Sequence, residues 1–208
     1  MSRSITYAFS LLSPWAYLGY EPFLRLVAQH GLTVVYRPML LSEVFSETGG
    51  LPLAKRHPAR QAYRWMEMKR WREKRQVPLN LQPRGFPCNI APADRTLIAI
   101  VEAGLSPVDF IRSVHRGIWV EDRQLDDEAV LRDILAANDL PPGLIETAKT
   151  EAIGAIYEGN RDWAISMNIF GAPSYVLDGE VFWGQDRLEL LADMLESGRK
   201  PYTADPVT

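Results

Sequence analysis

The segment that decides the fold lies near the N-terminus, at residues 5–15, and reads ITYAFSLLSPW. Its first half alternates in a way that predicts a half-buried strand. An apolar run that begins at Trp15 predicts a helix, and the pair Ser13-Pro14 stands at its start. Serine is favoured at the N-cap, and proline pre-sets helical φ at the first helical position. The segment therefore predicts a strand that turns into a helix, with the Ser13 hydroxyl at the turn.

The role of that hydroxyl has two interpretations. Ser-Pro pairs commonly begin helices, so Ser13 can be an ordinary cap without chemistry. The alternative is that a hydroxyl at a strand-to-helix turn serves a functional site. The local pattern fits both, and the rest of the sequence has to decide.

Length and composition limit the classes of protein that are possible. A chain of 208 residues with 47% hydrophobic residues can form one large domain, or one domain with a sizeable insertion. The net charge of -3 argues against a general binder of nucleic acid or of membrane surfaces. No apolar stretch resembles a signal peptide or a membrane span. We therefore expect a soluble, cytoplasmic protein with no nucleic-acid or membrane partner.

Cysteine and histidine are too sparse for redox or metal chemistry of the common kinds. The single cysteine, Cys88, excludes an intrachain disulfide and a Cys-x-x-Cys pair. The three histidines have no metal-ligand spacing, so no metal is predicted. Cys88 can be a small packed residue or a nucleophile, and its apolar surroundings favour the first.

The order of predicted elements indicates the architecture. A second strand is predicted over residues 33–37, after a first helix that ends near Gly31 and that Pro22 should kink or restart. A hairpin is predicted over 174–183 around Asp178-Gly179, followed by a helix over 186–195 that Asp186 would cap. Between these parts, helical periodicity predicts helices over 57–76, 94–103, 107–120, 126–137 with Asp126 as N-cap, and one or two over 142–167.

Together these elements predict an α/β protein with a thioredoxin-like fold. A βαβ unit and a final ββα unit form that fold, and an all-helical domain is inserted between them. The predicted boundaries are 1–50 for the first part, 51–167 for the inserted domain and 168–208 for the last part.

Two late segments face the first helix in a fold of this kind. The loop over 169–173 ends in Ala172-Pro173 directly before the third strand, and in thioredoxin-like folds a proline there is cis. The residue before it can then pair with an extended thiol peptide. Gly184-Gln185-Asp186 starts the last helix and can be a plain cap, an anion-binding helix start, or both.

Three segments, at residues 9–18, 170–173 and 182–188, resemble the 2-hydroxychromene-2-carboxylate isomerases. These are glutathione-dependent relatives of the kappa-class glutathione transferases, within the DsbA-like branch of the thioredoxin fold. The resemblance implies that Ser13 is the catalytic residue, because it matches the position where redox relatives carry their first cysteine. It further implies that glutathione is held by Ser13, Ala172, Pro173, Trp183, Gly184, Gln185 and Asp186.

The resemblance also extends to the substrate side. The segment 86–89 is similar to a Phe-Pro-x-Asn motif beside the substrate, which makes Asn89 a substrate-binding candidate. Arg60 stands where relatives often have a lysine, so the positive charge is kept. Two positions depart from the family pattern: Ser10 replaces an aspartate, and Gly50 replaces an asparagine that contacts glutathione in transferases.

The resemblance implies a cytoplasmic, glutathione-dependent isomerase of aromatic catabolism that acts on a small anionic aromatic substrate as a homodimer. Residues 55–75 carry nine basic side chains against two glutamates, which can be a solvated face or an electropositive rim that attracts such an anion. Three other functions stay open: a kappa-like glutathione transferase, a disulfide oxidoreductase, and a non-catalytic module that binds a thiol peptide or a partner.

Overall fold

The structure is a computed structural model, and it describes residues 3–204. The strands of this part are β1 (Ser4–Phe9), β2 (Thr33–Pro38), β3 (Ser174–Leu177) and β4 (Glu180–Trp183). Its α-helices are α1 (Pro14–His30), α2 (Leu41–Thr48), α3 (Pro58–Arg75), α4 (Ala91–Glu102), α5 (Val108–Trp119), α6 (Glu128–Ala137), α7 (Leu144–Ala148), α8 (Glu151–Ser166) and α9 (Leu188–Ser197). Short 3-10 turns at Leu53–Lys55 and Gln185–Arg187 precede α3 and α9.

The sheet joins the two ends of the chain. Its order is β2-β1-β3-β4, with β1 parallel to β2 and antiparallel to β3, and with β3 and β4 forming a hairpin. Tyr7 is opposite Tyr175 across the central pair, and both are fully buried. Positive φ at Asp178 and Gly179 gives the hairpin the primed turn that this residue pair favours. The predicted thioredoxin-like arrangement of βαβ and ββα is confirmed.

Helix α1 begins and ends as the sequence predicts. Ser13 is its N-cap and Pro14 its first residue, while Gly31 closes it in the left-handed conformation with φ of 59°. Pro22 lies inside the helix, which continues unbroken to His30. The predicted restart at Pro22 is therefore wrong, because packing of buried residues on both sides of it, such as Leu18 and Phe23, holds one helix together.

The helices differ from their predictions in details that local pattern does not fix. Helix α2 was not expected, and α4 begins at Ala91, three residues earlier than predicted. Asp127, not Asp126, caps α6, because its Oδ1 accepts the Ala129 N–H at 2.9 Å. The turn over Gln185–Arg187 displaces the start of the last helix to Leu188.

One hydrophobic core runs through the sheet and most of the insert. Phe9 and Phe23 from the strand and first helix belong to the same buried cluster as Leu97, Phe110 and Trp119 from the insert. The division at 50/51 and 167/168 stays a prediction. Residues 1–2 and 205–208, which the predicted outer parts include, lie outside the described residues.

Candidate active site

Ser13 lies where the two halves of the thioredoxin-like fold meet. Its Oγ accepts the Ala16 N–H at 3.3 Å, as an N-cap does, and donates to the Ala172 carbonyl at 3.4 Å. The two residues are 159 positions apart in sequence, and Ser13 is only 7% exposed. The cap and the link to the late loop are therefore properties of the same hydroxyl.

Ala172 and Pro173 form the opposite wall, and the peptide bond between them is cis, as the fold context predicts. Both residues are buried. The Pro173 carbonyl accepts the Gly184 N–H at 2.9 Å. This bond attaches the loop before β3 to the segment after β4, so that Ser13, Ala172 and Gly184 belong to one connected site.

The segment after β4 is built around glycine. Gly184 has a φ of 108°, a conformation that glycine adopts without strain. Gln185 is 2% exposed and packs so closely on α1 that a Cβ at Gly19 would lie 2.5 Å from the Gln185 Cβ. Close packing on α1 therefore fixes the position of this segment relative to the N-terminal helix of the site.

Asp186 does not cap the last helix, so that part of its prediction is wrong. The cap positions are Gly184 for the 3-10 turn and Arg187 for α9, and neither side chain bonds to the helix. Asp186 falls inside the turn, where its exposed carboxylate pairs with Arg187 at 2.8 Å. The extra turn ahead of α9 is the physical reason, since it places Asp186 two positions after the cap of the turn and one position before the cap of α9.

Trp183 forms an exposed rim beside the loop. Half of its surface is accessible, and its ring meets Phe170 edge-on with centroids 4.6 Å apart. Gly171 permits this approach, because a Cβ there would lie 2.2 Å from the Trp183 Nε1. The two aromatic rings are available to a ligand from solvent.

The two substrate candidates lie in the insert and do not bond to the other site residues. Arg60 is exposed in the first turn of α3. Asn89 is also exposed, and its Oδ1 accepts the Ala91 N–H at 3.2 Å at the start of α4. Within residues 3–204, neither side chain has a hydrogen bond or ion pair with Ser13 or with residues 183–186. Their substrate role stays a prediction.

Arg75 is a site residue that the sequence does not reveal. From the last turn of α3 it donates through Nη2 to the Gln185 Oε1 at 2.8 Å and to the Gln185 carbonyl at 3.3 Å. The sequence shows Arg75 only as one of many basic residues in this helix. No local signal pairs it with a glutamine 110 positions away.

Asp94 and Cys88 have strongly shifted pKa values. Asp94 in α4 is fully buried, and burial raises its pKa to about 8 although the Tyr157 hydroxyl donates to it at 2.8 Å. The backbone amide of Leu11, in the loop that leads to Ser13, opposes this shift. Burial also raises the pKa of the Cys88 thiol to about 11, which supports its interpretation as a packed residue.

Between residues 3 and 204, no three side chains of His, Cys, Asp or Glu come together as a possible metal site. No helix of this part combines the length and the hydrophobicity that crossing a bilayer requires.

Comparison with known proteins places the chain in a family. The DSBA-like thioredoxin domain matches residues 4–196. The chain belongs to this family. As a DSBA-like thioredoxin domain, it is 28% identical over 200 residues to the 2-hydroxychromene-2-carboxylate isomerase of Sphingobium xenophagum, covering 94% of this chain and 99% of that protein. It is 26% identical over 205 residues to glutathione S-transferase kappa 1 of Caenorhabditis elegans, covering 92% of this chain and 90% of that protein.

Solved structures agree with this assignment. The structure of a 2-hydroxychromene-2-carboxylate isomerase superposes on this DSBA-like domain with a TM-score of 0.79, at 22% identity, over 93% of this chain and 95% of that one. The resemblance found in the sequence motifs is thereby confirmed at the level of family and fold. The curated relatives named here are an isomerase and a glutathione transferase, so the chain is related to enzymes.

Proposed function

We propose that this protein is a glutathione-dependent cis-trans isomerase of substrates like 2-hydroxychromene-2-carboxylate, and that it acts in aromatic catabolism. The observation that supports this most directly is the position of Ser13. Its hydroxyl stands at the N-terminus of α1, within 3.4 Å of the backbone that precedes Pro173. The name of the isomerase relative supplies the substrate class, and the name of the transferase relative supplies glutathione.

The residues present fit glutathione. Ala172 offers backbone groups beside the Ser13 hydroxyl, where the cysteinyl part would pair before Pro173. The γ-glutamyl end would be held by Trp183, Gly184, Gln185 and Asp186. In that segment the exposed Asp186 carboxylate suits an ammonium group, and Gly184 leaves room for this carboxylate, since a Cβ there would lie 2.4 Å from the Asp186 Oδ1.

The chemical role of Ser13 is to stabilise an anion. A free thiol has a pKa of about 8.5, so only a few per cent is thiolate at neutral pH. A hydroxyl donor and a helix N-terminus both favour the thiolate, and each unit of pKa depression corresponds to about 1.4 kcal/mol. The bond from Ser13 to Ala172 is long for a hydroxyl, so the proton can turn to a better acceptor.

When bound, glutathione would supply a thiolate for reversible addition to a conjugated carbon of the substrate; ring opening would break the ring C–O bond, rotation would occur about the former double bond, and elimination of the thiolate would restore the alkene. Ser13 needs no general base for its part, because it donates a hydrogen bond and does not attack. Because Ser13 and Ala172 are buried, a sulfur bound next to them would be partly shielded from water. Arg60 and Asn89 are the proposed contacts to a small anionic aromatic substrate. The homodimer and the cytoplasmic location stay predictions of the sequence.

The nearest alternative is a kappa-like glutathione transferase, which the relative from Caenorhabditis elegans favours. The same thiolate site would serve it, but glutathione would be consumed as a conjugate. A non-catalytic module that binds thiol peptides would bind glutathione without turnover. A disulfide oxidoreductase is disfavoured because the sequence has one cysteine, Cys88, whose thiol is half-buried.

The first prediction concerns Ser13→Ala. We expect turnover of 2-hydroxychromene-2-carboxylate with glutathione to fall at least about tenfold, since the variant lacks the donor to the thiolate. The pKa of bound glutathione, measured from the ultraviolet absorbance of the thiolate, should rise. Calorimetric titration should still show glutathione binding through the other contacts.

Ser166→Ala is the matched control, because its exposed hydroxyl donates within α8, to the Trp163 carbonyl. This variant should behave like the unmodified protein. Turnover by Ser13→Ala equal to that of the control would contradict the role of Ser13. Loss of glutathione during turnover would favour the transferase, and binding without turnover would favour the module.

A further inference from the structure

A cleft in the helical insert has no assigned role in the glutathione site. Its volume is about 230 Å³, and it lies between α3, the segment that follows this helix, and the end of α5. Its walls include Arg64, Trp65, Leu81, Gln82, Phe86 and Trp119. It is smaller than the cavities of roughly 300–1,000 Å³ that hold drug-sized ligands, so it suits a small molecule.

Arg64 brings an uncompensated positive charge into this cleft. Burial, with a contribution from Arg56, lowers the pKa of its guanidinium to about 10, so that it is still charged at neutral pH. Within residues 3–204, no carboxylate forms an ion pair with Arg64. A half-buried charge without a carboxylate partner is unfavourable, and an anion in the cleft would reduce that cost.

The other walls select a flat, apolar body for the anion. The Phe86 and Trp119 rings lie 5.2 Å apart and tilted by 45°, which gives the cleft an aromatic face. The Arg64 guanidinium is 5.7 Å from the Trp65 ring centre and 5.8 Å from that of Phe86. A ring that contacts these aromatic side chains would therefore have its carboxylate next to the guanidinium.

We propose that this cleft binds a small planar aromatic carboxylate, with Arg64 as the ionic partner of the carboxylate. The proposal deepens the proposed function and rests on it for the substrate role, since it gives the anionic aromatic substrate a carboxylate subsite. Arg64 lies one helical turn beyond Arg60, the residue that the sequence favours. Binding itself requires no glutathione and can be measured alone.

The test uses the full chain and two probes of nearly equal shape, 2-naphthoate and uncharged 2-naphthamide. Calorimetry and tryptophan fluorescence should show saturable binding of 2-naphthoate, with 2-naphthamide at least about tenfold weaker. Arg64→Gln should weaken 2-naphthoate binding at least about tenfold and leave 2-naphthamide unchanged. Arg64→Lys should retain part of the affinity, because it keeps the charge.

Arg70→Gln is the matched control. It makes the same charge change on the same helix, at an exposed arginine whose partner is Glu67. Its affinity for 2-naphthoate should equal that of the unmodified protein. Thermal melts confirm that each variant is folded.

Equal binding of 2-naphthoate by Arg64→Gln and Arg70→Gln, or no saturable binding by the unmodified protein, would overturn the proposal. The glutathione titration separates this proposal from the proposed function. If 2-naphthoate binding depends on Arg64 but glutathione does not bind, the cleft stands and the proposed function fails. If glutathione binds but 2-naphthoate does not, the proposal for the cleft fails and the proposed function is unaffected.

Discussion

A single hydroxyl can cap a helix and serve a reaction, and Ser13 has the geometry for both. It accepts one backbone N–H from its own helix and faces one carbonyl from a distant loop. The sequence predicted the cap, because Ser-Pro is a local signal. It predicted the partners Ala172 and Pro173 only through the family resemblance, because their approach to Ser13 depends on the antiparallel pairing of β1 with β3.

Asp94 carries the second prediction, which concerns stability against pH. Its pKa is about 8 in the folded protein and near about 3.9 in an unfolded chain. As pH rises between these values, the unfolded state releases a proton that the folded state keeps, so the free energy of unfolding falls. The effect reaches at most a few kcal/mol and is complete above about pH 8.

We expect the melting temperature of Asp94→Asn minus that of the unmodified protein to increase as pH rises from about 4 to about 8. Asparagine can still accept the Tyr157 hydroxyl, so the variant should fold. Glu102→Gln is the control for the loss of one carboxyl, since it removes an exposed carboxyl from the same helix. A flat difference for Asp94→Asn would show that this carboxyl is ionised in the folded protein.

At the scale of elements, α3 supports the 3-10 turn over Gln185–Arg187. Its last turn presents Arg75 to Gln185, and the Arg75 guanidinium also stacks on Trp71 at 4.9 Å. Arg75 touches no reacting atom in the proposed function and is a positioning residue. It makes the site depend on the insert as well as on the thioredoxin-like part.

The third prediction follows from this support. Arg75→Met should raise KM for glutathione by roughly fivefold to tenfold, because residues 184–187 lose an anchor, while kcat and the pKa of the bound thiol stay nearly unchanged. Steady-state kinetics give KM and kcat, and the thiolate absorbance gives the pKa of the bound thiol. Lys74→Met is the control, since it removes the neighbouring exposed charge. If kcat and the thiolate fraction of bound glutathione fall together, Arg75 takes part in the reaction and is not a positioning residue.

Local sequence patterns predicted most elements but not every helix boundary. The strands β1, β2, β3 and β4 and most helices were predictable from alternation, periodicity and turn residues. The 3-10 turn over Gln185–Arg187 was not, because it depends on packing against α1 at Gly19 and on Arg75. Local patterns do not contain such tertiary contacts.

At the scale of the whole molecule, charge is distributed unevenly. The chain has a net charge of -3, yet residues 55–75 carry nine basic side chains against two glutamates. Several of the basic groups are exposed, including Lys55, Arg60 and Lys69. The sequence left open whether this face is merely solvated or attracts an anion, and the position of Arg64 in the cleft favours the second interpretation.

The fourth prediction tests whether the basic residues of the segment 55–75 attract an anionic substrate. Raising ionic strength from about 0.01 M to about 0.15 M should lower kcat/KM for an anionic aromatic substrate severalfold. The reason is that salt screens the attraction between the basic side chains of α3 and the anion. An uncharged electrophile with glutathione is the control and should change less. Equal salt dependence for both substrates would indicate a solvated face without steering.

Some features of the molecule were predictable from the sequence, and others were not. The fold, Ser13 and the cis Ala172-Pro173 bond were predictable, because each has a local or family motif. Arg64, Arg75 and Asp94 had no such signal. Their roles arise from burial and from partners on other elements, which only the folded arrangement brings together.

The central place of β1 in the sheet has a consequence for synthesis on the ribosome. β1 can pair with β2 soon after both emerge, but its other edge has no partner until residues 174–177 have been translated. The whole helical insert is made in between. An unpaired strand edge invites association with other chains. We therefore expect nascent chains of this protein to be most prone to association between the translation of β2 and that of β3.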